Sequence, residues 1–285
     1  MYLMPELPEV EILRRSLLPH VEGRKIESME TRRRELRFPL PKELAKRLGG
    51  ARIKGIDRKG KYLLFNTDRN DVLLTHLGMS GTMRMLRPGA NIEPPHSHVF
   101  FVFEDGARLV YADPRRFGFM DLFPLERIDE NPYLSKLGRD PLRDDIDADF
   151  LQSRLRGSRR SIKNALMDQR LIAGLGNIYC CEALFRSGIS PRRLSCDVAG
   201  KRSKPSERVG RLLDAIGATL QDALDAGGSS IRDYLDAEGE SGYFQHAFRV
   251  YDRLGDSCPR RGCNGVIRRI VQSGRSSFYC PRCQR

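Results

Sequence analysis

Four cysteines near the C-terminus stand as two close pairs: Cys258 and Cys263 in CPRRGC, then Cys280 and Cys283 in CPRC, with sixteen residues between the inner two. Two such pairs separated by a hairpin-length insert can place four thiolates tetrahedrally around one Zn²⁺ at about 2.3 Å. Four unrelated buried thiols would explain the residues but not the paired spacing. With every position filled by protein, the ion is structural rather than catalytic. Cys180, Cys181 and Cys196 have no partner pattern and read as helix packing. Between the pairs, Arg275 follows Gly274 in a turn, where a guanidinium can hold a phosphate bidentately, although an isolated turn arginine is more often only solvated. At the other end, Pro5 and Glu6 in MPELPEVE read, by themselves, as an ordinary helix start.

The elements that must position these residues follow from hydrophobic period. Val10, Leu13 and Leu17 recur at helical spacing, with Pro19 and Gly23 as the stop. From Ala51 the pattern becomes short β-prone runs, ARIKGID, KYLLFNT, DVLLTHL, GTMRML, HVFFVF and ARLVYA, which predict a sandwich or barrel rather than a parallel sheet. Residues 124–149, rich in Pro, Asp and Arg, read as a linker. Beyond them the period is helical in DADFLQSRL, SIKNALMD, IYCCEALFRSG, SERVGRLLDAIGATLQDALDAGG and SSIRDYLDAEG, the last capped by Ser229 or Ser230. The chain then closes on VIRRIV, a Gly274 turn and SSFYC, a hairpin bracketed by the cysteine pairs.

The chain of 285 residues has a formal net charge of +13, which favours a polyanionic partner because each Lys or Arg on a phosphate releases counterions. Nine Arg against two Asp after residue 245 concentrate that charge at the C-terminal end, which favours nucleic acid over a merely basic surface or an anionic lipid face. Apolar runs are too short to span a bilayer and MYLMPELPEVE lacks the pattern of an export signal, so the expectation is a soluble, cytoplasmic protein without a disulfide framework.

MPELPEVE at 4–11, GKYLL at 60–64, HLGMSG at 76–81, DPRRFG at 113–118, GLGNIY at 174–179 and the terminal GRSSFYCPRCQ, in that order, together resemble the formamidopyrimidine-DNA glycosylases, which repair oxidised guanine. The resemblance implies an α+β multidomain fold: an N-terminal β-sandwich with a leading helix over 1–125, a helical helix-two-turn-helix domain over 126–245, and a C-terminal zinc finger over 246–285. It implies a bifunctional glycosylase and abasic-site lyase of base excision repair, acting as a monomer on double-stranded DNA that contains oxidised purines, nucleoid-associated when bound and without a membrane partner.

The resemblance also implies roles. Pro5 is the nucleophile, since a chain-terminal proline is a secondary amine that is partly unprotonated near neutral pH. Glu6 is general acid and base on the opening sugar. Lys61 serves proton transfer and phosphate contact, and Arg275 serves the second elimination and the target phosphate. Asn177, His96 and Arg159 are further DNA contacts. Met79, Arg115 and Phe117 enter the duplex when the lesion is extruded, as filler, donor to the orphaned cytosine and wedge. By composition alone Lys61 is a solvated strand-end lysine, and Met79 and Phe117 are core residues.

Endonuclease VIII-like enzymes share this architecture, but Leu7-Pro8 and an intact DPRRFG favour the oxidised-purine type. A zinc-finger protein that binds DNA without catalysis would need neither Pro5-Glu6 nor Lys61. One departure stands out: family members begin Met-Pro, whereas Met1-Tyr2-Leu3 precede Met4-Pro5 here, and a peptide-bonded proline has no nucleophilic lone pair. The expectation is that active protein begins at Met4, which is then removed.

Overall fold

The computed structural model describes residues 4–201, 204–229 and 244–285. By internal contacts the chain divides into two compact units, one of residues 1–135 with 226–245 and one of residues 136–225 with 246–285.

In the first unit a helix α1 (Leu7–Val21) precedes β1 (Ile26–Thr31), α2 (Leu44–Leu48), β2 (Ile53–Lys59), β3 (Tyr62–Thr67), β4 (Asp71–His76), β5 (Thr82–Leu86), β6 (Ser97–Phe103), β7 (Arg108–Ala112) and β8 (Phe119–Pro124). The strands form two antiparallel four-stranded sheets, β1-β6-β7-β5 and β2-β3-β4-β8. Their apolar faces share one core, in which the rings of Phe65 on β3 and Phe101 on β6 lie 5.7 Å apart. Val10, Leu13, Leu17 and Val21 of α1 enter that same core, and α1 packs against β2 and β5, one edge strand from each sheet. The leading helix therefore closes the open side of the sandwich, as period-3.6 burial requires.

All six expected strands are present, along with two that were not anticipated. In β1, IESMET, only Ile26 and Met29 are buried, a spacing of three that imitates a helix. In β8, FMDLFP, four of six residues are buried, so no alternation marks it, and its terminal Pro124 imitates a linker. Asn131 donates to Asp121 of β8 at 2.9 Å, so the segment after Pro124 is tied to the sandwich rather than free. The helix α1 also runs past Pro19 to Val21: a proline this close to the end forfeits one backbone bond, and the Glu22 N–H still reaches Leu18 O at 3.0 Å.

The second unit holds α3 (Ala148–Leu155), α4 (Ile162–Leu166), α5 (Asn177–Ser187), α6 (Ser195–Ala199) and α7 (Glu207–Asp225), then the hairpin β9 (Arg268–Gln272) and β10 (Arg275–Tyr279). Asp147 and Ser161 cap α3 and α4 through Phe150 N and Asn164 N. Helix α5 is buried at nearly every position and packs on both α7 and β10, which makes it the spine of this unit. The helix expected over SSIRDYLDAEG lies outside the described residues apart from Ser229.

One buried ion pair fixes α1 to the sheet. Arg58 of β2, fully inaccessible, donates through Nε to Glu11 at 2.9 Å and through Nη1 to the carbonyl of Gly60 at 2.9 Å. Glu11 also accepts from Arg14 and Arg15. Burial alone would raise its pKa, but these guanidiniums outweigh burial and hold it at about 2. Replacing Glu11 with Leu strands Arg58 in the core and should destabilise the first unit by about 3–5 kcal/mol. The double variant Glu11→Leu, Arg58→Met should recover most of that loss. Hydrogen exchange of the β2–β3 amides reads the first unit alone; a loss below about 1 kcal/mol for Glu11→Leu would show that Arg58 finds another partner.

Candidate active site and nucleic-acid interface

Pro5 and Glu6 are both buried and precede the first turn of α1. Glu6 is the N-cap, in a reciprocal capping box with Glu9, and Pro8 is the proline that occupies the first turn. Pro5 thus lies outside the helix, so helix initiation does not account for it. The Glu9 carboxylate accepts from Glu6 N at 2.9 Å, from Ser229 N at 2.9 Å and from Ser229 Oγ at 2.8 Å, which anchors the start of α1.

Lys61 occupies the two-residue loop between β2 and β3, after Gly60 at a positive φ of 57°. Only 7% of it is exposed, so it is not a solvated strand-end lysine. The Arg58 bonds to the Gly60 carbonyl and to Glu11 fix this loop against the helix that follows Pro5 and Glu6. Directly across from Tyr62 at the end of β4, the His76 ring packs between Tyr62 at 5.1 Å and Phe119 at 5.3 Å. Burial, the Lys61 ammonium and Arg37 together push its pKa down to about 4. Neutral at pH 7, His76 accepts the Gly78 N–H through Nδ1 at 3.1 Å and so shapes the loop that carries Met79.

Met79, Arg115 and Phe117 lie on two touching loops. Gly78 has φ 65°, and a Cβ there would fall 2.3 Å from the Phe117 and Gly118 backbone. Phe117 is 42% exposed, with the Arg115 guanidinium 4.8 Å from its ring centre, and Met79 is half-buried. Neither apolar side chain is core. His96 is exposed with φ 61°, and its carbonyl accepts the Asp113 N–H at 3.1 Å, so it borders the same loops.

In the second unit, Asn177 opens α5 and donates through Nδ2 to Ser276 O at 3.0 Å and to Tyr251 OH at 3.2 Å, while its buried Oδ1 has no partner among the described residues. Lys163, fully buried, donates to the same Ser276 carbonyl at 3.0 Å and to Ser277 Oγ at 2.6 Å. Both residues therefore brace the strand that begins with exposed Arg275. The preceding Ser273 and Gly274 have φ 47° and 74°, the left-handed pair of a tight two-residue hairpin turn. Arg159 is exposed and has no ion pair or side-chain hydrogen bond among the described residues, whereas neighbouring Arg160 is paired with Asp168 at 3.0 Å.

The four sulfurs of Cys258, Cys263, Cys280 and Cys283 lie within 4.8 Å of one another, with Cys258–Cys283 and Cys263–Cys280 both at 3.7 Å. Tetrahedral Zn–S bonds of about 2.3 Å require sulfur edges of about 3.8 Å, so the set fits one Zn²⁺. Gly265 is pressed against it: a Cβ there would lie 2.5 Å from Cys280 Sγ. Cys180 and Cys181 are buried in α5, as packing predicts.

Sequence reasoning passed over Arg58, His76, Asp113 and Lys163. His76 and Asp113 sit inside quoted motifs, and a polar residue at the end of an apolar strand was the available signal. Arg58 meets Glu11 47 residues away and Lys163 meets Ser276 113 residues away, separations too long to be read from sequence.

The profile of the formamidopyrimidine-DNA glycosylase N-terminal domain matches residues 4–120, that family's helix-two-turn-helix domain matches 137–234, and the zinc finger it shares with an aminoacyl-tRNA synthetase family matches 255–285. A protein of Bradyrhizobium sp. strain BTAi1 named formamidopyrimidine-DNA glycosylase is 50% identical over 99% of this chain and all of its own, and one from Beijerinckia indica is 49% identical with the same coverage. Among solved structures, a Lactococcus lactis Fpg complex with DNA containing an abasic site superimposes with a TM-score of 0.87 at 35% identity, over 98% of this chain and 99% of that one. A complex of the wild-type L. lactis protein with DNA containing an oxidised pyrimidine gives the same TM-score and identity over 99% and 100%.

Two measurements test this geometry. Cys280→Ser should abolish the one-to-one zinc content and DNA affinity while leaving the first unit folded, because the metal supplies the hairpin's folding energy; metal-free protein with full affinity would refute the assignment. For His76 the folded pKa is depressed, so the stability it contributes is present above the unfolded value of about 6.5 and is lost as pH falls toward 4. The first unit should lose at most about 3 kcal/mol over that window. His76→Gln, whose carbonyl can still accept the Gly78 N–H, should flatten this dependence; an unchanged slope would assign it elsewhere.

Proposed function

Because the chain belongs to the formamidopyrimidine-DNA glycosylase family, we propose that its DNA-repair chemistry runs through the amine of Pro5. The activity is that of a DNA glycosylase and abasic-site lyase of base excision repair. With Pro5 first in the chain, its nitrogen attacks C1′ of the deoxyribose, the C1′–N bond to the oxidised purine breaks, and the base leaves with a proton. Glu6 protonates the ring oxygen as the sugar opens, which leaves the Pro5 nitrogen and C1′ joined as an iminium cation. That cation accepts electrons, so loss of the C2′ proton expels the 3′ phosphate, and a second elimination expels the 5′ phosphate. Lys61 carries protons in these steps, and Arg275 holds the target phosphate and assists the second.

The observation that carries this reading is that Pro5 and Glu6 are buried just ahead of α1, in the unit where Arg58 also fixes the Lys61 loop. Phosphate contacts by Asn177, His96, Arg159 and Arg275 supply register, and Met79, Arg115 and Phe117 act on the base stack. For Asn177 the amide hydrogens are spent on Ser276 and Tyr251, so its phosphate contact requires either exchange of one of those bonds or the adjacent backbone N–H groups of the α5 N-terminus. Among the described residues no helix is long and apolar enough to cross a membrane, and location with the nucleoid follows from DNA binding.

Borohydride reduction with duplex containing 8-oxoguanine opposite cytosine should couple protein that begins at Pro5 to the DNA, with the adduct mapping to the Pro5 peptide. Protein that retains Met1-Tyr2-Leu3 should give no adduct. A trapped complex from homogeneous protein with those three residues, or an adduct on Lys61, would overturn Pro5 as the nucleophile.

A further inference from the structure

Asp113 is fully buried, yet no cation pairs with it among the described residues. Its carboxylate accepts Ser80 Oγ at 2.6 Å, Tyr111 OH at 3.1 Å and the Gly118 N–H at 2.8 Å. Ser80 belongs to the loop that carries Met79; Gly118 ends the loop that carries Arg115 and Phe117. The Ser80 hydroxyl also accepts the Arg115 N–H at 3.2 Å, so it bridges the two loops a second time. The backbone of Asp113 completes the link to β6, with its N–H on the His96 carbonyl and its carbonyl accepting from His98 Nε2 at 2.9 Å. Nor can the loops slide past each other: a Cβ on Gly118 would lie 1.8 Å from Tyr111 OH, and one on Gly78 would meet the Phe117 backbone.

A wedge separates stacked bases only if it yields less than the stack does. Charge-assisted hydrogen bonds are about twice as strong as neutral ones. An ionised carboxylate is acceptor-only and can hold three donors at once, whereas an asparagine would turn an amide hydrogen toward one of them. The position thus calls for a carboxylate rather than an amide, and the beneficiaries are the loop with half-buried Met79 and the loop with exposed Phe117.

We propose that Asp113, acting through Ser80, is a positioning residue that couples the Met79 loop to the Arg115–Phe117 loop, so that lesion extrusion, gap filling and contact with the orphaned base occur as one motion. This rests on the assignment of Met79, Arg115 and Phe117 to the duplex. The test uses the full chain with Pro5 first and its zinc bound. Ser80→Ala should slow single-turnover excision of 8-oxoguanine paired with cytosine about tenfold, and Ser80→Thr, which keeps the hydroxyl, should restore it. Phe117→Ala should cost much less in the Ser80→Ala background than in the parent protein, since a wedge already uncoupled has less to lose. Borohydride trapping on a single-stranded abasic substrate, where no base is extruded, should be unchanged by Ser80→Ala. Multiplicative effects of Ser80→Ala and Phe117→Ala, or equal losses on the duplex and single-stranded substrates, would reduce Asp113 and Ser80 to folding residues. Absence of trapping by the parent protein on the single-stranded substrate would instead strike the lyase reading itself. Asp113→Asn should show the same substrate selectivity; if it does not fold, the Ser80 cycle still decides.

Discussion

The contact between Glu11 and Arg58 governs where everything else in the first unit can lie. A fully buried guanidinium is tolerable only with its charge and donors satisfied, and a carboxylate and a loop carbonyl are among the acceptors that do so here. The carboxylate belongs to the helix that follows Pro5 and Glu6, and the carbonyl belongs to the hairpin turn that presents Lys61. Two elements far apart in sequence are thus held by one planar group whose geometry leaves little freedom. Apolar packing of α1 alone would allow the helix to slide along the sandwich edge; the fixed fork of Arg58 sets its register.

The second unit solves a similar problem with different chemistry. Its hairpin has strand faces that are largely exposed on β9, with too little apolar surface to hold Arg275 in place. Zinc ligation secures one end through the four cysteines, and Lys163 with Asn177 secures the other through the Ser276 carbonyl. Arg275 itself is exposed at the start of β10 and makes no ion pair or side-chain hydrogen bond among the described residues.

How much of this was legible in the sequence depended on range. The six strands from Ala51 onward and the five expected helices that fall on described residues were visible because burial on one face writes a period into neighbouring residues. The cysteine pairs were visible because a metal dictates spacing directly. Strand β1 was hidden by having two buried residues at helical spacing, and β8 by burial on both faces with a proline at its end. Pro5 showed the limit of local reading: its neighbour Pro8, not Pro5, serves the helix start, which no propensity scale distinguishes. The Glu9–Ser229 and Lys163–Ser276 contacts span 220 and 113 residues, and nothing in a single sequence announces such pairs.

A pattern links four of the six acids buried among the described residues of this basic protein. Glu9, Glu11, Asp113 and Glu182 each accept from at least three donors: Glu9 from Glu6 and Ser229, Glu11 from three arginines, Asp113 from Ser80, Tyr111 and Gly118, and Glu182 from the backbone of Arg249, Val250 and Tyr251. For Glu182, burial raises the pKa while the three backbone donors oppose it. Desolvating a carboxylate is costly, and only this degree of satisfaction makes it tolerable. On a surface that must approach phosphates, however, an exposed carboxylate repels the ligand. Burying these acids as hubs, each tying together segments distant in sequence, removes negative charge from the surface and uses it to fix the backbone. The formal excess of +13 is then carried by side chains that, like Arg159 and Arg275, lie exposed where a polyanion can reach them.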